Sequence, residues 1–191
     1  MPSLPEPLLS ADERSKLLQF ARQAVTGAVS RSGFVSPPGE RALSRVCGVF
    51  VTVRVAGKLR GCIGVVEATE PLRESIAHCA AAAALHDPRF PPVRPEELDR
   101  IGIEISLLSP PEPILPTDIV LGRHGLVVAR ERQRGLLLPQ VATEHQLSRE
   151  DFLAETCRKA GLPPDAWKSG SAQILGFTCE VFSDHTEAGT N

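Results

Sequence analysis

A chain of 191 residues with 42% hydrophobic content can bury a core of its own, and it has the size of one domain or of two small intertwined lobes. Its 21 basic and 23 acidic side chains leave a formal charge of -2, so it lacks the broad positive field that nucleic acid or an anionic membrane would attract, and one Trp with no Tyr gives little to stack bases on. The five cysteines form no C-x-x-C pair, and no uncharged apolar run approaches the ~18 residues that span a bilayer, so neither a disulfide framework, a zinc ribbon nor a membrane helix is expected.

In chain order, Ser10-Ala11-Asp12-Glu13 reads as a capping box that opens a helix from about Ala11 to Ala28, with Leu17, Leu18, Ala21 and Val25 on one apolar face. Ser32 to Gly39, rich in Gly and Pro, cannot continue it. From Cys47 to Val55 the odd positions are apolar while Thr52 and Arg54 take the other face, which predicts a strand. Ala56-Gly57-Lys58 supplies a turn, and Leu59 to Val66 returns as the second arm of a hairpin. Thr69 is placed to cap a following helix with Pro71 at its second position; Leu72, Ile76, Cys79, Ala80 and Ala83 form its buried stripe, and the alanine run 80–84 permits close packing. Ile101, Ile103, Ile105 and Leu107 predict another strand. Leu126 to Arg130 and Gly135 to Leu138 predict a second hairpin. Ser148 caps the next helix, Leu147 can staple onto Phe152, and Phe152, Leu153, Thr156, Cys157 and Ala160 face one way until Gly161, Pro163 and Pro164 end it. A last strand occupies about Ala172 to Phe182. The expected fold class is α+β, with mostly antiparallel sheets flanked by helices. Residues 1–9 and 183–191 are expected to be flexible tails, and no fixed-period repeat is evident.

Chemistry concentrates on Leu59-Arg60-Gly61-Cys62-Ile63-Gly64. In an extended segment Arg60 and Cys62 share one face, where a guanidinium would favour the thiolate of Cys62; the alternative is a buried, inert thiol beside a surface charge. Gly61 and Gly64 weaken a strand, and their presence there points to a bulge or to close approach by a backbone or a ligand. Asp87 and Arg89 flank Pro88 in a stiff loop that could hold a salt bridge or present a ligand contact. His86 ends a helix, where an imidazolium meets the negative end of the dipole, and it needs no ligand to explain it. Glu104 is a carboxylate in mid-strand for which Arg60 is the simple partner. Gly122-Arg123-His124-Gly125 is either a plain turn or a small anion-binding nest, and His124 is the histidine best placed for general base catalysis with Cys62. No phosphate-binding loop, dinucleotide fingerprint, zinc-protease motif, EF-hand or three-cysteine cluster is present, so no metal and no cofactor is expected.

The hexapeptide 59–64 resembles the signature of the AMMECR family. Gly48-Val49-Phe50-Val51-Thr52, Asp87-Pro88-Arg89-Phe90-Pro91-Pro92-Val93, Ile103-Glu104-Ile105-Ser106, Gly122-Arg123-His124-Gly125, Gly135 to Val141 and Cys157 to Pro163 agree with it in order, over roughly residues 10 to 182. Where many relatives carry a tryptophan just ahead of the last long helix, this chain has Gln146-Leu147. The resemblance implies a single domain of two intertwined lobes, AMMECR-like, with the hexapeptide near a cleft between them. It implies no settled reaction. Prokaryotic members are often encoded beside a Memo-like protein and a radical S-adenosylmethionine protein, which are the expected pathway partners, together with an unknown small-molecule ligand. A reducing cytoplasm is the expected location. Two readings stay open: a small enzyme that uses Cys62, with Arg60, Gly61, Gly64, His86, Asp87 and Arg89 around the substrate and His124 and Glu104 in catalysis, or a non-enzymatic binding or adaptor module that uses the same groove.

Overall fold

The computed structural model describes residues 9–33 and 41–184, without the side chains of 41 and 42. The loop expected over Ser32 to Gly39 and the tails expected over 1–9 and 183–191 therefore lie largely outside the described residues. At their described ends these segments are not tails. Leu9 is buried, and Asp184 accepts a hydrogen bond from the Ile103 amide (2.8 Å) and pairs with Arg22 (2.6 Å). The protein is mixed helix and strand. It divides into two compact units, one running to Leu107 and resuming at Glu180, the other comprising Leu108–Cys179. No described helix is long and apolar enough to cross a membrane.

In the first unit, helix α1 (Ala11–Ser30) opens with the expected capping box: Ser10 Oγ accepts from the Glu13 amide (3.3 Å) and Glu13 Oε2 from the Ser10 amide (2.8 Å). Strands β1 (Val49–Val55) and β2 (Lys58–Val65) form the expected hairpin, closed by Ala56 and Gly57, both at positive φ. Helix α2 (Leu72–Leu85) starts later than expected. Pro71 is its N-cap, and the Leu72 amide donates to the Arg45 carbonyl (2.6 Å), so a backbone acceptor serves the end for which Thr69 was expected. Strand β3 (Ile101–Leu108) then pairs with the other side of β1, giving the order β2-β1-β3. Alternate residues of β1 and β3, from Val49 to Val55 and from Ile101 to Leu107, join Leu17, Phe20, Val25, Leu72 and Ile76 in one core. Each such fully buried side chain stabilises the fold by about 1.5–3 kcal/mol relative to exposure.

The second unit has the two-residue strand β4 (Glu112–Pro113), the hairpin β5 (His124–Arg130) and β6 (Gln133–Leu137), the short helix α3 (Pro139–Glu144), helix α4 (Arg149–Lys159) and strand β7 (Gln173–Ser183), whose last residues belong to the first unit. Here β7 pairs with the other side of β5, giving β6-β5-β7, and β4 lies against β7. Ser148 caps α4 as expected, its Oγ accepting from the Asp151 amide (3.1 Å). Phe152 and Leu153 pack with Ile119 and Leu126, while Cys157 packs with Val128 and Leu162.

The two units thus repeat one plan that no sequence period announces: a hairpin, helix, and a third strand that returns to the hairpin's first. They also share a packing device. In each hairpin the second strand carries a glycine directly under helix backbone. A Cβ on Gly61 would lie 1.8 Å from the Ala83 carbonyl oxygen of α2, and one on Gly135 would lie 2.2 Å from the Ala160 amide at the end of α4.

Candidate functional site

Strand β2 is the edge of the first unit's sheet, so one side of its backbone has no strand neighbour. Cys62 pairs with Thr52 and turns both its backbone groups outward. Its amide donates to Asp87 Oδ2 (2.9 Å), and its carbonyl accepts from Arg89 Nη2 (3.2 Å). Asp87, whose side chain is 1% exposed, also accepts from the Arg89 amide (3.1 Å), Nε (2.9 Å) and Nη2 (2.7 Å). The turn Asp87-Pro88-Arg89-Phe90, closed by the Phe90 amide on the Asp87 carbonyl (3.1 Å), therefore stands where another strand would pair. Its hydrogen bond with Arg89 holds the Asp87 carboxyl far below the ordinary carboxylate range despite burial, and the same contact pushes the Arg89 guanidinium up. Of the two roles open to Asp87 and Arg89, the salt bridge is present.

Arg60 departs from the expectation. The pairing of β1 with β2 slips between Val53 and Arg54, leaving Arg60 as the extra residue of a bulge, so strict alternation does not relate it to Cys62. Its guanidinium donates to the Pro91 carbonyl (2.7 Å) and to both oxygens of Glu97 (2.9 and 3.1 Å). Arg60 foremost, and then the Arg94 amide, hold the Glu97 carboxyl below its ordinary value. The partner of Arg60 is thus Glu97 and not Glu104, because the bulge turns it toward the segment after α2. Arg60 and Arg89 together fasten residues 87–97 onto β2.

What Cys62 does have on its own face is a polar row. Thr52 lies opposite Cys62 on one side and Glu104 on the other, and antiparallel partners point the same way. Thr52, 7% exposed, donates its hydroxyl to Cys62 Sγ (3.3 Å). Cys62 and Glu104 are half-buried, and no ion pair joins Glu104 to another described residue. Thr52 was legible only as a polar residue at an alternate strand position, and nothing in the sequence linked Glu97 to Arg60.

The glycines have packing explanations. Gly61 admits α2 backbone, and Gly64 lies under the Phe50 ring, 2.3 Å from where its Cβ would be. His86 is the exposed C-cap of α2, its amide bonded to the Ala82 carbonyl (2.8 Å). His124 belongs to the second unit and is the first residue of β5 instead of a turn residue; Gly122, at φ 78°, makes the turn. Its Nδ1 accepts from the Val120 amide (3.1 Å), so that lone pair is taken and the neutral ring carries its proton on Nε2. In this state the ring is a donor and has no free lone pair with which to serve Cys62 as a base.

The AMMECR1 family pattern matches residues 18–182. A protein of Thermofilum pendens is 41% identical over 200 residues, covering 95% of this chain and 94% of its own, and one of Methanothermobacter thermautotrophicus is 43% identical over 185 residues, covering 92% and 96%. The crystal structure of the uncharacterised protein PH0010 from Pyrococcus horikoshii is similar with a TM-score of 0.82 at 38% identity, covering 95% of this chain and 96% of that one. The polar row on β1 to β3, the clamp at residues 87–89 and the hexapeptide are thus features of a member of a known family, and this chain belongs to the AMMECR1 family.

Proposed function

We propose that the protein is a small enzyme whose reactive group is the Cys62 thiol, acting in a pathway with Memo-like and radical S-adenosylmethionine proteins. The carrying observation is the row Cys62-Thr52-Glu104: a half-buried thiol with a buried hydroxyl donating to its sulfur, beside a half-buried carboxylate that has no cationic partner among the described residues. Stability alone does not call for such a carboxylate in mid-strand. A hydroxyl aimed at sulfur stabilises negative charge developing there, and the Asp87-Arg89 clamp fixes the sulfur's position through both backbone groups of Cys62. Glu104 is the group placed to exchange protons with a substrate held on this face.

One observation favours the alternative, a binding or adaptor module on the same surface: the sulfur's hydrogen bond comes from a hydroxyl and not from an imidazole. Replacing the gene in its native cells with Cys62→Ser and Cys62→Ala variants separates the two. The enzyme reading expects both to lose pathway output to the level of a deletion, whereas retention by Cys62→Ser would favour the module.

The enzyme reading needs an approachable thiol. A limiting dose of iodoacetamide at pH 7 should modify Cys62 ahead of Cys79 and Cys157. Burial, with Glu70 nearby, pushes the Cys79 thiol up to about 11, which leaves about one thiolate in ten thousand at that pH, and Cys157 is fully buried with its thiol also pushed up by burial. Peptide mapping that placed Cys62 with the two slow cysteines would make it a structural thiol.

A further inference from the structure

The second unit holds a cavity of about 350 Å³ with His124, Thr178 and Glu112 among its lining residues and Pro110, Pro113 and Ile114 as apolar walls. Register puts the polar groups together. His124 pairs with Thr178, Glu112 pairs with Gly176, and positions 176 and 178 of β7 face the same way, so His124, Thr178 and Glu112 stand on one face of the sheet. Their remaining bonding capacity differs in kind. The His124 Nδ1 lone pair is filled by the Val120 amide, which leaves Nε2–H as a donor held in a fixed ring orientation. Ser109, which also lines the cavity, has its oxygen engaged by the Thr178 amide (2.9 Å), and the Thr178 carbonyl takes the Ser109 amide (2.9 Å). Glu112 is an exposed carboxylate, an acceptor only.

We propose that this cavity binds an uncharged group carrying a carbonyl beside an N–H, as in a carboxamide, its oxygen accepting from His124 Nε2–H and its N–H donating to Glu112. The volume suits a ligand of small-molecule size, and the proline and isoleucine walls suit its apolar part. Burial, with Arg123 nearby, pushes the imidazole below its ordinary value, which disfavours the cationic ring that an anion would need. A carboxylate ligand would also set its second oxygen against Glu112 where a carboxamide offers a donor.

The test uses the full-length protein labelled with ¹⁵N-histidine, with benzamide and benzoate as probes of one shape that differ in this group alone. The ring nitrogens of His124 should show a bare Nδ1 and a protonated Nε2. Benzamide should shift them saturably, with benzoate weaker by about tenfold or more, and Glu112→Gln should narrow that discrimination. His124→Phe should abolish benzamide binding, read from saturation transfer to the benzamide protons, while leaving the melting temperature within a few degrees of wild type. A proton on Nδ1, benzoate binding as well as benzamide, or no benzamide response in the wild-type protein would overturn the assignment without involving any variant.

Discussion

Gly61→Ala should cost the first unit about 3 kcal/mol or more and lower the melting temperature by about 10 °C, read by circular dichroism. The added methyl would sit 1.8 Å from the Ala83 carbonyl oxygen and 2.8 Å from its carbon, and both atoms are backbone of a helix whose own hydrogen bonds resist movement. Relief requires α2 to back away from β2, opening a gap under Ile76, Ala80 and Ala83, which are all buried. Gly57→Ala is the control. Its methyl meets nothing within 4 Å, but the residue sits at φ 78°, so the cost should be only about 1 kcal/mol. Equal melting temperatures for the two variants would mean that α2 yields freely and that the close approach at Gly61 contributes nothing.

The second large effect is expected at Asp87. Asp87→Asn keeps the shape but puts an amide nitrogen against some of the donors that the carboxylate serves, the Cys62 amide and the Arg89 Nε and Nη2. Asp87 is buried but Arg89 is more than half exposed, so water screens the pair and the loss comes mainly from donors left poorly served; chemical denaturation should show a loss of about 1–3 kcal/mol. The pH dependence follows from the sign of the shift. The folded carboxyl titrates below its ordinary value of 3.8, so its stabilisation is complete above about pH 5 and is lost as pH falls toward the lowered folded value. Wild-type stability should therefore decline on acidification below about pH 5, and the Asn variant should decline less steeply over the same window. Parallel acid profiles would show that the Asp87-Arg89 bridge is not what ties the turn to β2.

The parts of this structure that were legible in the sequence are those set by local pattern. Alternation from Val49 to Val55 and from Ile101 to Leu107 marks two strands because only one face of each has to meet a core, and Ser10 and Ser148 mark helix starts because a first-turn amide needs an acceptor within three residues. What the sequence hid depends on distant partners. Thr69 has the chemistry of a cap, yet the carbonyl of Arg45 takes the first amide of α2. Arg60 reads as a neighbour of Cys62 by alternation, and a one-residue slip against β1 sends it to Glu97, 37 positions along the chain. Helix α3 is too short for a period to be seen, and β4 contains a proline. At the site, Cys62, Asp87 and Arg89 were legible as residue types, and the glycines as places of close approach. Ala83 and Phe50 as the approaching groups were not, nor was Thr52 as the partner of the sulfur.

The first unit is discontinuous in the chain, and this has a consequence for the order of folding. Phe182 belongs to its core, Glu180 pairs with Arg14 (2.7 Å), and Asp184 joins Arg22 to Ile103, across 162 and 81 positions of sequence. On a chain emerging from the ribosome, α1, β1, β2, α2 and β3 are all exposed before any of these contacts can form, while residues 108–179 make a continuous stretch that carries its own core. The long-range closures add loop entropy that must be met late, so the later-made unit can be finished while the earlier-made one still waits for its last strand. Between those two moments the apolar faces of β1 and β3 depend on a partial core. That interval is when the nascent protein is most open to a chaperone and most prone to pairing with the wrong edge.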